Sequence, residues 1–311
     1  MSLLVQPLTN LAKRQLRRVF EIGQRFGIDI LPRHFYSEIP DIRILKSTTP
    51  WRAARSMRGI RGSIEEQASW TDECTNAYRA KLKNFEIHKN ALRVNGSSEG
   101  YGEVEADFLY CFLRAKRPLE IVQVGCGVST AVCLQAAIDE GYTPRITCIE
   151  PYPTDFLKRE SEAGRIDLVA KKIEDASTEC IELLKSCDLF FVDSSHTLGP
   201  AGEVNLVILE LLPRLTAGTF VHFHDIFFPY DYDPSTLSTA LFFQHETALL
   251  YAFLVENSRF EIAASLSMLH HTRLDLMLQY FPDMGPQQFD GGLCRNPGQF
   301  PTSIFLRCTA D

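Results

Sequence analysis

Two glycines, three acids and two histidines fall where an α/β protein would gather its chemistry. Gly125 and Gly127 follow the apolar run Ile121, Val122, Val124, and Ser129 opens a helical pattern behind them. That order reads as a buried strand, a tight turn and a helix N-terminus. Glycine suits such a turn, because a backbone without Cβ takes unusual dihedrals and lets a ligand approach closely. The helix N-terminus offers free N–H groups to an anionic or polar ligand. Alone this is weak evidence, since many α/β proteins carry a strand–glycine–helix turn with nothing bound. Its company strengthens it. A second strand over 145–150 ends in Glu150, 23 residues after Gly127, where nucleotide-binding α/β folds keep the carboxylate that accepts both ribose hydroxyls. A dinucleotide site wants a third glycine where Thr130 stands, so the pattern favours a nucleoside-type cofactor without pyrophosphate over NAD.

Further acids and histidines sit at the ends of later apolar runs: Asp193 with Ser194, Ser195 and His196, then His224 with Asp225. In open parallel sheets ligands bind beyond the carboxyl ends of the strands. Singly, each residue has a structural explanation, Asp193 as a helix cap and His224 as a hydrogen-bonded core histidine. Together they exceed chance placement of surface charge. His196 and His224 are candidate bases, because imidazole titrates near working pH. Alternation places Phe220, His222 and His224 on one face and Val221, Phe223 and Asp225 on the other. Past the strand end that alternation fades, and both His224 and Asp225 stay in play.

The elements that must hold these residues alternate regularly. Strands are expected at 120–124, 145–150, 166–170, 188–193, 219–223, 259–263 and 303–307. Helices are expected at 103–115, 129–140, after Pro153, and at 178–186, 202–212 and 238–256. Such alternation means a doubly wound, mostly parallel seven-stranded α/β sheet with helices on both faces. The turn-rich run 95–100 divides the chain into a mainly helical N-terminal extension, 1–100, and a domain over 101–311. In the extension, helices are expected at 9–27 and about 63–83. The first is basic and amphipathic, which suits a membrane surface or a partner; acids nearby favour a solvated helix packed on its own domain. The extension covers part of the site or makes a homo-oligomer contact.

Composition removes several classes. A net charge of -7 argues against broad nucleic-acid binding, which needs a basic face. No run approaches the ~18 apolar residues of a membrane span, and the first residues lack the charged start and apolar core of a signal peptide. Nine cysteines, an odd number without a CxxC pair, point to reduced thiols and a cytoplasmic protein. Cys126 at a helix N-terminus could be reactive, though filling the glycine turn explains it better. There is no Gly-x-Ser-x-Gly elbow and no phosphate loop, and His245-Glu246 lacks the second histidine of a zinc-protease helix. His270-His271 reads as surface or packing.

Four motifs in order carry a family likeness: Val-Gln-Val-Gly-Cys-Gly-Val-Ser-Thr at 122–130, Ile-Glu-Pro at 149–151, Phe-Val-Asp-Ser-Ser-His-Thr at 191–197 and Val-His-Phe-His-Asp-Ile-Phe-Phe-Pro at 221–229. Over roughly 101–307 the chain resembles class I S-adenosylmethionine-dependent methyltransferases, in particular the bacterial methyltransferase 24-type subgroup. The resemblance implies a Rossmann-like methyltransferase fold. It implies that Gly125 and Gly127 admit the methionine part of the cofactor, Glu150 binds the ribose, Asp175 or Glu174 lies near the adenine, and Asp193 sits beside the methyl donor and acceptor. Gln123, Cys126, Ser129 and Thr130 complete the implied cofactor set. Gln123 departs from the family, which usually has an acid there. The catalytic set is Asp193, His196, His224 and Asp225. Related O-methyltransferases hold a divalent cation, and Asp193 and Asp225 could supply oxygen ligands to Mg2+, with His224 where a carboxylate is more usual. The expected activity is methyl transfer to an oxygen of a small molecule or sugar. Two rivals remain, an NAD-dependent oxidoreductase on the same fold and a non-catalytic cofactor-binding or assembly protein.

Overall fold

The computed structural model describes residues 10–31, 33, 37, 39–47, 53–96, 100–232, 243–286, 289–290, 293–294 and 299–310. Two units divide the chain, Met1–Thr49 and Pro50–Asp311. The first contains α1 (Asn10–Arg25) and α2 (Ile42–Ser47). On α1, Arg17 pairs with Glu21 one turn later at 2.7 Å, and Ile28 N–H closes the helix end on the Gly23 carbonyl.

The second unit is organised by a sheet one of whose interior strands, β1 (Glu120–Val124), is the apolar run before the glycine turn. A strand covered on both faces needs such a run, and branched side chains pack well on a pleated surface. The others are β2 (Arg145–Ile149), β3 (Asp167–Val169), β4 (Leu189–Val192), β5 (Phe220–Phe223), β6 (Phe260–Ser265) and β7 (Ile304–Cys308). Their order across the seven-stranded sheet is β3-β2-β1-β4-β5-β7-β6. All neighbours from β3 to β5 run parallel, and β7 pairs antiparallel with both β5 and β6. The doubly wound, mostly parallel, seven-stranded fold expected from the sequence is therefore present. Strand order reverses between β1 and β4, which sets their tips side by side at the switch point where such sheets take ligands.

One face of the sheet is covered by α3 (Ile64–Thr75), α4 (Glu86–Asn95), α5 (Glu103–Lys116) and α6 (Val128–Glu140). Trp70 sits amid Phe108, Phe112, Phe220 and Phe305, with ring centroids 5.8–5.9 Å away. Each fully buried ring contributes roughly 1.5–3 kcal/mol relative to exposure. The other face carries α8 (Ser177–Leu184), the helical run beginning with α9 (Glu203–Asn205) and continuing through Leu206–Leu211, and α10 (Glu246–Leu254). α7 (Asp155–Glu162) links β2 to β3.

Two helical expectations shift, and two short helices come without one. A capping box between Ser63 and Glu66 starts α3 where expected, but the helix ends at Thr75 and only a 3-10 turn, Arg79–Lys81, follows. Residues 243–245 are not helical and α10 starts at Glu246, while 238–242 of the expected helix lie outside the described residues. Beyond β6, α11 (Leu266–Thr272) and α12 (Leu274–Tyr280) were not anticipated as elements. Each spans only seven residues, too few turns for a helical period to stand out.

Candidate functional site

The glycine turn is a place where two strand tips touch. Gly125 has φ +79°, and a Cβ there would lie 1.7 Å from the Asp193 carbonyl oxygen. Gly125 N–H donates to Ile149 O at 3.2 Å, and Asp193 N–H donates to Val124 O at 2.9 Å, so the tips of β1, β2 and β4 are pinned together. Beside them opens a cleft of about 400 Å³, lined among others by Gly125, Glu150, Tyr152, Glu174, Asp193 and Ser194. Glu150 accepts Cys126 N–H at 3.1 Å on one oxygen and Tyr152 N–H at 2.8 Å on the other. Two backbone donors thus fix the carboxylate and leave lone pairs for a ligand. Glu174 Oε2 and Ser194 Oγ are buried with no hydrogen-bond partner among the described residues. Orphaned buried oxygens are rare in native structures, and both belong to residues of this lining.

Beneath the turn lies a relay of neutral groups. Gly127 N–H donates to Thr130 Oγ1 (3.3 Å), whose hydroxyl donates to Gln123 Oε1 (2.8 Å), while Gln123 Nε2 faces Ser129 Oγ at 3.4 Å. Gln123 and Thr130 are fully buried. Gln123, Ser129 and Thr130 therefore support the turn from below and do not line the cleft. Gly127 turns toward α4, where an added Cβ would lie 3.1 Å from Asn95 Nδ2. Burial pushes the Cys126 thiol up, and its Cys148 neighbour adds to this, so this sulfur is not a thiolate. After β3 the cleft is lined by Glu174, and Asp175 is exposed outside the lining.

Past the tips of β4 and β5, the four expected catalytic residues do converge. His196 Nε2 lies 3.5 Å from both Asp193 Oδ1 and Asp225 Oδ2. His224 Nδ1 lies 3.3 Å from Asp193 Oδ1 and 3.5 Å from Asp225 Oδ1. His196 and Asp225 both hold left-handed backbones, φ +59° and +57°, a strained conformation that persists where its surroundings enforce it. Burial by itself would favour neutral groups. Opposed charge outweighs it: His224 and His196 hold the Asp193 carboxyl well below the usual carboxylate range. Asp225 and Asp193 in turn push the buried His224 up to about 9. The buried His196 is also raised, by Asp193, Glu246 and Asp225.

These contacts bear on the magnesium expectation. Asp193 Oδ1 and both Asp225 oxygens face two imidazoles, and this mixed set suits a hard cation that prefers six or more oxygen ligands poorly. Among the described residues no group of three or more His, Cys, Asp or Glu side chains is arranged to hold a metal ion.

Several contributors escape a reading of the sequence. Glu246 is fully buried and its Oε2 lies 2.7 Å from His196 Nδ1. Glu105, in the first turn of α5, accepts Thr302 N–H at 2.7 Å, and Thr302 Oγ1 donates to Asp225 Oδ1 at 3.1 Å. Tyr101 packs its ring 5.0 Å from His224 and places its hydroxyl 2.9 Å from His222 Nε2. An acid near the start of the helix expected at 103–115 was the available signal for Glu105; none marked Tyr101.

Residues 122–226 match the family model described as a methyltransferase domain, and over that segment the likeness seen in the motifs is borne out. An uncharacterized protein of Archaeoglobus fulgidus is 27% identical over 177 residues, 53% of this chain and 76% of its own length. Among solved structures, the SAH-bound methyltransferase of Podospora anserina is 15% identical, with a TM-score of 0.39 over 83% of this chain and 93% of that one. The O-methyltransferase of tomaymycin synthesis from Streptomyces achromogenes, in complex with SAM, is 13% identical, with a TM-score of 0.42 over 78% and 99%.

Proposed function

We propose that this methyltransferase domain binds S-adenosylmethionine in the cleft beside Glu150 and transfers its methyl group to an oxygen of a small molecule or sugar. The observation that carries the reading is the Glu150 carboxylate, held by two backbone N–H groups next to a turn that only glycine fits. A vicinal diol is the natural ligand of a carboxylate with lone pairs to spare. Glu174 Oε2 would take the adenine amino group and Ser194 Oγ the polar atoms nearer the reacting carbon, which gives both orphaned oxygens a partner.

When bound, the cofactor supplies a methyl carbon activated by its sulfonium. Asp193, anionic at the junction of cleft and histidine cluster, favours a cation there electrostatically. The cofactor would hand that methyl to the acceptor oxygen and leave as the neutral thioether, and an imidazole of the cluster, His196 or His224, would take the acceptor's proton. The protein's share is alignment and proton removal. The carboxylates raise the proton affinity of both histidines, so the base must start from the deprotonated fraction. The eight cysteines whose side chains are described are all free, which supports a reducing, cytoplasmic setting.

The test is a calorimetric titration with S-adenosylhomocysteine, with and without magnesium. The expected result is one site per chain and an affinity that magnesium leaves unchanged. Binding of NAD in place of S-adenosylhomocysteine would favour the oxidoreductase reading.

A further inference from the structure

His245-Glu246 looks idle in the sequence, yet every residue from 244 to 247 is tied to the strand-tip loops. Gln244 Nε2 faces Asp225 Oδ2 at 3.4 Å. His245 N–H and Glu246 N–H both donate to the His196 carbonyl, at 3.0 and 3.3 Å. Glu246 Oε2 meets His196 Nδ1 at 2.7 Å, and Thr247 Oγ1 lies 3.5 Å from the Asp225 carbonyl. The start of α10 thus grips the backbone of His196 and its ring at once. It also holds the loop that carries Asp225.

We propose that Glu246 is the positioning residue for His196: it fixes the Nδ1–H tautomer and directs Nε2 between Asp193 and Asp225, where an acceptor's proton would arrive. This rests on the methyl-transfer reading of the same site. The geometry separates the two histidines. His196 presents one nitrogen to a buried carboxylate and the other to the cluster, the arrangement by which a base is oriented and its protonated form stabilised. For His224 the two carboxylates within 4 Å, Asp193 and Asp225, both face Nδ1, and Glu105 acts on it from farther off. Glu246 gives the contact its selectivity, because it is 1% exposed at the side chain and its second oxygen, Oε1, has no partner among the described residues. Such a carboxylate has little use for packing that an apolar side chain would not serve better. The charged groups that face His196 are Asp193 from β4, Asp225 from β5 with His224 beside it, and Glu246 from α10; Glu203 lies beyond Glu246. Removing the Glu246 charge subtracts one attraction for the imidazolium, so the proton affinity of His196 must fall.

Histidine-selective 15N NMR over a pH series, on the full chain with and without S-adenosylhomocysteine, tests this without an acceptor. In the wild type the neutral His196 ring carries its proton on Nδ1. In Glu246→Gln the His196 titration moves down by about one pH unit or more, a roughly tenfold loss of proton affinity. Glu246→Asp restores part of the shift, and S-adenosylhomocysteine affinity stays within twofold in both variants. An Nε2–H tautomer in the wild type, which needs no variant to fold, overturns the proposal. So does an unmoved titration in Glu246→Gln. A wild type that fails to bind S-adenosylhomocysteine while showing the Nδ1–H tautomer would instead fault the methyl-transfer reading and leave the positioning contact standing.

Discussion

Gly125 and Asp193 are in backbone contact: the space a Cβ would need at Gly125 already holds the Asp193 carbonyl oxygen. The floor of the cleft is therefore set by how closely two strand tips approach. Gly125→Ala meets two obstacles, that carbonyl and a φ of +79°. The positive φ alone costs an alanine on the order of 1–2 kcal/mol, and separating the tips adds to it. The expected outcome is a lower melting temperature together with loss of S-adenosylhomocysteine binding. A variant that keeps both would show that the tips can part freely.

Glu150→Ala removes the acceptor of two backbone N–H groups as well as the proposed ribose contact. Hydrogen bonds to a charged group contribute about 1.5–3 kcal/mol each, so affinity should fall at least about tenfold to a hundredfold. Glu150→Gln keeps the shape and loses the charge, and should land between. Calorimetry on the three proteins checks the order.

Gln123→Glu introduces the acid that the resemblance leads one to expect at this position, yet it should not tighten cofactor binding. The side chain points under the turn, where its oxygen already accepts the Thr130 hydroxyl and its surroundings include Cys133 and Cys148. A carboxylate there is buried without a cationic partner. We expect destabilisation of about 1–3 kcal/mol in denaturant unfolding and no gain in affinity. A tighter complex would mean that position 123 reaches the cleft after all.

Stability should fall on the alkaline side. The folded-state His224, near 9, binds its proton more tightly than an ordinary histidine at 6.5. Its contribution is complete below about pH 6.5 and is lost as pH rises through about 9. The depressed Asp193 carboxyl acts in the opposite direction: its contribution is present above the ordinary value of 3.8 and fades as pH falls below it. These two groups together contribute most between about pH 4 and 6.5, and the His224 share falls by on the order of 3 kcal/mol by pH 9. Asp193→Asn should flatten the alkaline slope. Thermal melts across the range decide it, and a level wild-type curve from pH 6.5 to 9.5 would contradict the assignment.

Much of this was legible from residue order, and the parts that were not share a cause. Glu150 was found because the distance from a glycine turn to the next strand tip is set by one helix and one strand. The sheet followed from alternation, and the same alternation held the fate of Gln123: it shares a face with Ile121, toward α6. Glu174 and Asp175 could not be told apart, because after the three-residue β3 a one-residue change of register swaps lining for exterior. Glu246 was invisible for a different reason. The apolar pattern extended the helix back to 238 and left the glutamate in mid-helix, whereas it occupies the first position and meets a histidine 50 residues away.

β7 comes last among the seven strands in sequence but not in space. It slots between β5 and β6, and the two residues before it reach the cluster: Thr302 holds Asp225 and Glu105, and Ser303 lies 2.9 Å from His222 Nε2. During synthesis, then, a growing polypeptide that already carries the glycine turn, Glu150 and both histidines still lacks the threonine that ties Asp225 to Glu105.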